Sequence, residues 1–269
     1  MNKMDFNGLT VLITGASSGI GEAFARNLAG RGANLILTAR SEDNLTRIAD
    51  ELKKKHGISV HVFPADLSSI EAPTQLFEKM QTNGLTVDVL INNAGFGKWA
   101  HFLAEDIDTY QRMLTVNINA LVRLTCLFIP NMLTRGKGGV INVASTAAFQ
   151  PVPYIAVYSA SKSFVLNFTE ALSGEYRQSG LRFLALCPGN TTTNFMATAN
   201  ADTSGMSFAA PENVVENALN AFLQGRSYYV PGMVNYLTSL LPRILSRSVS
   251  VNIVANMFKG RVAAFPVKL

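Results

Sequence analysis

Between an apolar run and a helical pattern lies the stretch Thr14-Gly15-Ala16-Ser17-Ser18-Gly19-Ile20-Gly21. Glycine permits positive φ and close backbone approach, and the free N–H groups at a helix start attract phosphate. The stretch therefore predicts a strand–turn–helix unit that opens a dinucleotide-binding sheet. Its spacing is G-x-x-x-G-x-G rather than G-x-G-x-x-G, so taken alone a plain strand–helix turn remains the alternative. No Gly-Lys-Ser/Thr follows, which excludes a P-loop.

Short apolar runs alternate with longer helical patterns along the rest of the chain. The predicted strands are Leu9–Thr14, Ala33–Thr38, Ser59–Phe63, Val87–Ile91, Gly139–Ala144, Arg182–Cys187 and Ser227–Val230. The predicted helices are Gly19–Arg31, Glu42–Lys55, Ser69–Gln81 with a Ser cap, Asp106–Leu133, Tyr154–Ser179 and Pro211–Leu223. Near-continuous apolar strands are typical of a sheet covered on both faces. We predict an α/β fold with a doubly wound parallel sheet of about seven strands, in one domain over residues 1–269.

The pattern changes after Pro231, where residues 231–269 form a predicted helical extension. Two amphipathic helices, Met233–Leu241 and Arg243–Phe258, are separated by Pro242. From Arg226 to Leu269 there are six basic residues and no acid, so this segment carries the net charge of +5. Three hypotheses stay open: a lid over a substrate pocket, a contact with another subunit, or peripheral contact with an anionic membrane surface.

The end of the second predicted strand indicates which nicotinamide cofactor is used. NAD binding usually places an acid there, whereas the 2′-phosphate of NADP needs a cation. The strand ends in Thr38-Ala39-Arg40, and a guanidinium can hold a phosphate in bidentate geometry. A solvated arginine is the alternative. Given the glycine turn, we predict NADP(H) in preference to NAD(H).

Tyr158 and Lys162 are four residues apart and share one face of a predicted helix. A phenol, with a pKa of about 10, transfers protons poorly at neutral pH. A nearby ammonium favours the phenolate and lowers that pKa. With Ser145 just past the fifth predicted strand, the pattern predicts a tyrosine that moves a proton. The alternative is a half-buried aromatic beside a lysine whose stem packs on apolar surface.

Together these motifs resemble the short-chain dehydrogenase/reductase (SDR) family along nearly the whole chain. The matching landmarks, in family order and spacing, are Thr14–Gly21, Asp66-Leu67, Asn92–Gly95, Val116-Asn117, Ser145, Tyr158/Lys162 and Pro188-Gly189. Cys187–Phe195 is similar to a bacterial subgroup. The resemblance implies a Rossmann fold and an NADP-preferring, bacterial-type member.

The resemblance also assigns residues to the cofactor. The implied cofactor-binding set is Gly15, Ser17, Ser18, Gly19, Ile20, Gly21, Arg40, Asp66, Leu67, Asn93, Ala94, Gly95, Tyr158, Lys162, Pro188, Gly189, Thr191 and Thr193. In it the glycine turn holds the pyrophosphate, Asp66 accepts from the adenine amino group, and the loop after Pro188 brackets the nicotinamide.

Four catalytic residues are implied in the same way. Ser145 would donate to the carbonyl oxygen, and Tyr158 would protonate it as general acid. Lys162 would lower the Tyr158 pKa and hold the nicotinamide ribose, and Asn117 would support a water in the proton path. Each of two residues has a simpler interpretation when it is considered alone. Ser145 could be a turn residue at the end of a strand, and Asn117 could form a hydrogen bond inside a helix.

Bulky apolar residues follow the strands on the predicted substrate side. The candidates, beside Ser145, are Phe149, Tyr154, Phe195 and Met196. They predict a hydrophobic carbonyl or alcohol as the substrate of an oxidoreductase, although loop aromatics are also common packing residues. Two alternatives are a 3-oxoacyl thioester reductase of lipid metabolism and, from another class, a non-catalytic NADP(H)-sensing protein.

Composition narrows the remaining possibilities. Outside the C-terminal segment, basic and acidic residues number 17 and 18, which does not indicate a nucleic-acid surface. His56, His61 and His101 lack metal-ligand spacing, and we predict no metal. Cys126 and Cys187 form no disulfide framework, so we expect a cytoplasmic protein, with Cys187 as a small buried residue. By resemblance, the helices over Asp106–Leu133 and Tyr154–Ser179 predict a homodimer or homotetramer.

Overall fold

A computed structural model describes residues 5–262 of the 269. All seven predicted strands are present in one sheet. They are β1 Thr10–Thr14, β2 Asn34–Thr38, β3 Val60–Val62, β4 Val89–Asn92, β5 Gly138–Val143, β6 Leu181–Leu186 and β7 Tyr228–Tyr229. The sheet order is β3-β2-β1-β4-β5-β6-β7, and every neighbouring pair is parallel. This confirms the doubly wound sheet, whose order reverses between β1 and β4.

Side chains along a strand point alternately to the two faces of the sheet. Because the strands are apolar throughout, both faces need to be covered by helices. Val11 and Ile13 of β1 join a core with helices from one face, while Leu12 joins the core on the other. The helices are α1 Gly19–Gly30, α2 Glu42–His56, α3 Ala72–Thr82, α4 Ile107–Leu114, α5 Leu121–Arg135, α6 Ala156–Glu175, α7 Phe195–Thr198, α8 Pro211–Leu223, α9 Met233–Ile244 and α10 Arg247–Phe258. α1, α2 and α8 pack on the first face, and α3 and α5 on the second.

The predicted long helix contains a π segment, Thr115–Ala120, between α4 and α5. By length and composition alone, the continuous helix Ile107–Arg135 is apolar enough to cross a bilayer. Its residues Leu124, Phe128 and Met132 are buried in the core beneath the sheet, so it acts as a core helix. A π segment widens a helix locally and often lies at a functional site. Here it carries Asn117.

The start of α3 and the presence of α7 differ from what the sequence predicts. α3 begins at Ala72 after Glu71 and not after a Ser cap, because Asp66 accepts bonds from Ser68 and so forms a separate turn before the helix. The short helix α7 was not predicted, since its four residues are too few to show a periodic pattern.

The predicted C-terminal extension forms two helices, α9 and α10, that pack beside the carboxyl ends of the strands. Pro242 lies inside α9 in its last turn, and the break falls at Leu245 instead. Val254 of α10 is buried in a cluster with Trp99 and Ile155. Residues 263–269 of the predicted extension lie outside the described part of the chain.

Candidate active site

The site lies where four adjacent strands end. The glycine turn follows β1, Asn93 follows β4, Ser145 follows β5 and Pro188 follows β6. Carboxyl ends of parallel strands share one edge of a sheet, and ligands bind at the point where the strand order reverses. Residues far apart in sequence are thus brought to one cleft.

The glycine turn is tied to the loop after β4 by Thr14 and Asn93. The Thr14 hydroxyl accepts from the backbone N–H groups of Asn93 and Ala94, each at 2.9 Å. The Asn93 side-chain amide donates to the carbonyl oxygens of Thr14 and Gly15 at 3.0 and 3.2 Å. These bonds hold the two loops together without a ligand.

The turn also fits a phosphate-bearing cofactor. Gly15 and Gly19 adopt φ of 64° and 58°, and a Cβ on Gly21 would overlap the Gly15 carbonyl oxygen. The backbone N–H of Glu22 bonds to Ser18 O at 3.3 Å, so the N–H groups before it have no acceptor within α1. A glycine-lined cradle with free N–H donors is suited to a pyrophosphate.

We expect Gly21→Ala to destabilise this turn by about 1–3 kcal/mol, because the added methyl must displace backbone atoms. The free energy of unfolding, measured by urea denaturation, should fall. The Kd for NADPH should rise. Gly174→Ala is the matched control, because Gly174 lies in α6 with open space around it. That control should be neutral or stabilising by up to about 1 kcal/mol. Equal behaviour of the two variants would contradict the tight cradle.

Arg40 and Asp66 lie at adjacent strand ends beside this turn. A backbone bond from Ala65 N to Ala39 O, at 3.0 Å, joins the two segments. Hydrogen bonds from Ser68 hold the pKa of Asp66 below its ordinary value, and the charge of Arg40 adds to this effect. Arg40 is exposed, and no side-chain hydrogen bond engages its guanidinium among the described residues. The guanidinium of Arg40 is therefore available to bind an anion. Leu67, the residue after Asp66, is buried.

The predicted catalytic residues converge at the ends of β5 and α6. The Ser145 hydroxyl accepts from Ala147 N at 3.1 Å and lies close enough to the Tyr158 phenol to lower its pKa in part. Lys162 is buried, and its Nζ donates to Val143 O at 2.7 Å. That Nζ lies 5.7 Å from the centroid of the Tyr158 ring. A hydroxyl, a phenol and an ammonium thus share one small region.

The pKa of Tyr158 differs from the sequence-based prediction. Burial raises the pKa of Tyr158 to about 12, and the hydrogen bond with Ser145 offsets only part of this rise. Burial also lowers the pKa of Lys162 to about 8. Desolvation of the phenolate is the largest influence on Tyr158, so the net shift of its pKa is upward and not downward. Tyr158 is held as a neutral proton donor.

Asn117 lies in the π segment and bridges three elements. Its side chain accepts from Phe96 N at 3.1 Å and donates to Phe96 O at 3.0 Å and Ser161 Oγ at 3.1 Å. Its oxygen and the Lys162 Nζ both lie against Gly95, where a Cβ would be 3.0 and 3.4 Å from them. Asn117 therefore fixes α6 beside the loop after β4. Its predicted contact with water stays a prediction.

The loop after β6 contacts both ends of the cleft. A Cβ on Gly19 would lie 2.9 Å from the Thr193 methyl, so this loop reaches the glycine turn. Thr191 is buried, and its hydroxyl donates to Gly189 O at 3.1 Å. On the other side a Cβ on Gly189 would lie 2.6 Å from the amide of Asn235 in α9. The sequence pattern did not indicate this contact.

Two of the four bulky residues predicted on the substrate side lie together beside Tyr158. Phe195 and Met196 of α7 join Tyr158 in one apolar cluster, with the Tyr158 and Phe195 ring centroids 5.3 Å apart. Tyr154 packs against His101 and has φ of 70°, a strained value for a residue with a side chain. Phe149 instead packs against Tyr228, 6.3 Å between centroids, in a separate cluster. The structure therefore does not bring Phe149 to the others.

Sequence reasoning expected Trp99 on the substrate side but missed its partner there, and it missed Asn142 and Thr169 beneath the cleft. Trp99 packs edge-on against Phe258 of α10 at 4.8 Å, so the C-terminal extension closes the substrate side. Beneath the cleft, Asn92 donates to Asn142 Oδ1 at 2.9 Å, and Asn142 donates to Thr169 at 2.9 Å. The available signal was an asparagine in each of two otherwise apolar strands, since a buried amide requires partners.

Cys187 lies in the interior of the protein, as expected for a small buried residue. Cys187 is fully buried in an apolar cluster, and burial raises the pKa of its thiol, so it packs as a small residue. Within residues 5–262, no group of three or more histidine, cysteine or acidic side chains is placed to hold a metal ion.

A doubly wound sheet with a glycine cradle, an exposed arginine after β2 and a Ser–Tyr–Lys group defines a nicotinamide-dependent oxidoreductase. Residues 9–204 match the family model described as short chain dehydrogenase. The chain belongs to that family, which confirms the resemblance found in the sequence.

The chain is similar to several proteins that are named as reductases or dehydrogenases. Very-long-chain 3-oxoacyl-CoA reductase of Anas platyrhynchos is 33% identical over 220 residues, covering 79% of this chain and 68% of that protein. A short-chain dehydrogenase from Sphingobium yanoikuyae, solved with NADPH, has a TM-score of 0.80 and 30% identity, covering 88% of this chain and 93% of that one. A bulky-bulky ketone specific alcohol dehydrogenase from Comamonas testosteroni has a TM-score of 0.77 and 28% identity, covering 88% and 92%.

Proposed function

We propose that this enzyme uses NADPH to reduce a carbonyl group in a hydrophobic substrate. The observation that carries the proposal is the position of Tyr158, which lies beside Lys162 and is packed among apolar residues of α7 and α10. A proton donor of this kind faces an apolar cluster and not a charged one. The family and its relatives named as reductases and dehydrogenases favour this over a non-catalytic NADP(H)-sensing protein.

Residues of the cleft would hold the cofactor along its length. The glycine turn and the start of α1 would hold the pyrophosphate, and Arg40 the 2′-phosphate. Asp66 would meet the adenine, and the loop from Pro188 to Thr193 the nicotinamide. When bound, NADPH supplies the hydride for the carbonyl carbon. The solved relative with NADPH supports this choice of cofactor.

The protein contributes the proton and the charge stabilisation. As negative charge develops on the carbonyl oxygen, the Ser145 hydroxyl donates a hydrogen bond to it. Tyr158 Oη then transfers its proton to that oxygen and yields the alcohol. The ammonium of Lys162, held by Val143 O, stabilises the tyrosinate left behind. Each of these three groups thus acts only as the transition state forms.

The rate of reduction should fall as pH rises through about 8. The Lys162 pKa of about 8 means that its ammonium is charged below this pH and neutral above it. Tyr158, with a pKa of about 12, stays protonated over the same interval. We expect kcat/KM for reduction to decline above pH 8 and Lys162→Met to show a low, flat profile. An unchanged wild-type rate up to pH ~10 would contradict this assignment.

A 3-oxoacyl thioester is the second candidate substrate. The relative named very-long-chain 3-oxoacyl-CoA reductase favours it, because its matched region covers 79% of this chain. Of the two arginines that could receive an acidic carrier, Arg112 is exposed and bonds Thr109, and Arg123 is exposed and bonds Thr74. Both are accessible, although both lie outside the apolar cluster.

The decisive experiment is a substrate panel assayed with NADPH. One arm contains simple ketones ordered by chain length and ring size, and the other contains 3-oxoacyl thioesters of matched length. We expect kcat/KM to rise with apolar length in both arms. A preference for thioesters at equal length would select the second candidate. The highest rate on short polar carbonyls would overturn the proposal of a hydrophobic substrate.

Assembly and location stay predictions. A homodimer or homotetramer through α4, α5 and α6 is supported by exposed apolar side chains such as Leu114 and Phe164, which are 39% and 40% exposed. The exposed thiol of Cys126 is compatible with the predicted reducing cytoplasm.

A further inference from the structure

The outer face of α9 is almost wholly apolar and points to solvent. Val234 is 75% exposed, Leu237 55% and Ile244 82%. With Met233 and Leu241, these residues follow a spacing that places them on one side of a helix with 3.6 residues per turn. The next helix continues the pattern with Val249, Ile253 and Met257, four residues apart and each at least 45% exposed. An apolar surface of this extent marks an interaction site.

This exposure does not come from loosely attached helices. On their inner sides Ser239 and Val254 are buried, and Phe258 packs against Trp99. Beyond α10, the Arg261 guanidinium donates to the carbonyl oxygens of Asp202 and Ser204 at 3.0 Å each. We call the pair α9 and α10 (residues 233–258) the hairpin. One face of the hairpin packs on the substrate side, and no described residue covers the other face.

The charged side chains of α9, α10 and the turn between them are all positive. Arg243 and Arg247 flank the α9–α10 turn, and Lys259 follows α10; all three are exposed. No acidic residue occurs between Arg226 and Leu269. An apolar stripe rimmed by cations fits the boundary between anionic headgroups and acyl chains. A second copy fits less well, because two such faces would bring arginines together without partner acids.

We propose that the outer face of α9 and α10 docks on an anionic lipid bilayer. The apolar side chains enter the acyl boundary, and Arg243, Arg247 and Lys259 meet the headgroups. The inner face of the same hairpin closes the apolar cluster around Tyr158, so docking places the substrate side next to the lipid. The proposal that α9 and α10 dock on lipid does not depend on which carbonyl compound the enzyme reduces.

The test is flotation of the full chain with lipid vesicles, which requires no turnover. We expect binding to phosphatidylcholine vesicles with ~30 mol % phosphatidylglycerol at ~20 mM salt, and weaker binding at ~500 mM salt or without phosphatidylglycerol. Val234→Ser with Ile244→Ser should lower the partition coefficient about ten-fold or more. Arg243→Glu with Arg247→Glu should do the same, with loss of the salt dependence.

Matched controls separate this face from general surface effects. Ile70→Ser replaces an apolar residue that is 72% exposed outside the hairpin, and Lys54→Glu reverses a charge on α2; both should bind like the wild type. Unchanged circular dichroism and unchanged activity on a water-soluble ketone show that the α9 variants fold. Failure of the wild type to float, or equal losses in the controls, would overturn the proposal. A dimer that dissociates in the α9 variants, with no vesicle binding, would assign the face to a second copy instead.

Discussion

Tyr158→Phe is expected to lower kcat for NADPH-driven reduction by about 10²–10⁴-fold while the cofactor still binds. The change removes the proton donor and leaves the ring that packs against Phe195. Reduction then lacks the proton that must reach the carbonyl oxygen. Single-turnover kinetics at saturating NADPH measure the chemical step, and quenching of protein fluorescence by NADPH measures binding.

Tyr176→Phe provides the matched control, because Tyr176 lies at the far end of α6 and stacks on Phe183. It should retain the wild-type rate. A Tyr158→Phe enzyme within about three-fold of wild type would refute the general-acid role. Loss of NADPH binding in the same variant would show that Tyr158 acts mainly in holding the cofactor.

Arg40→Asp is expected to raise KM for NADPH by about 10²-fold and to change KM for NADH only slightly. The exposed guanidinium at the end of β2 is the cation that we assign to the 2′-phosphate. A carboxylate there repels that phosphate and accepts a ribose hydroxyl. The ratio of kcat/KM for the two cofactors is the measurement.

Arg177→Asp makes the same charge change at the exposed end of α6, away from the strand ends, and should leave both KM values unaltered. Equal losses for NADPH and NADH in Arg40→Asp would remove the basis for proposing NADPH. The order of magnitude assumes low salt, because exposed charges are screened as ionic strength rises.

The sheet could be predicted from sequence because local signals and global fold agree. Apolar runs such as Leu9–Thr14 are too short for helices, and glycine follows where the chain must turn sharply. The order of motifs then placed the glycine turn, Ser145 and Tyr158 at one edge of the sheet. The positions of these three motifs follow from where each strand ends, and the local sequence determines the strand ends.

Other features depend on contacts that a linear pattern does not contain. The π segment around Asn117 is held by bonds to Phe96 and Ser161. The direction of the Tyr158 pKa shift depends on how much water burial removes from the phenol, and this desolvation is larger than the opposing effect of Ser145. In the sequence, Phe149 cannot be distinguished from the loop aromatics that line the substrate side. The structure shows that Phe149 packs against Tyr228 instead.

The contact between Asn235 and Gly189 connects two ligand sites through one side chain. Asn235 also donates to Pro231 O at 2.8 Å, so it is fixed at the start of α9. A molecule that displaces α9 would therefore shift this amide relative to the loop from Pro188 to Thr193, which we propose holds the nicotinamide. By thermodynamic reciprocity, the factor by which substrate alters the affinity for NADPH equals the factor by which NADPH alters the affinity for substrate.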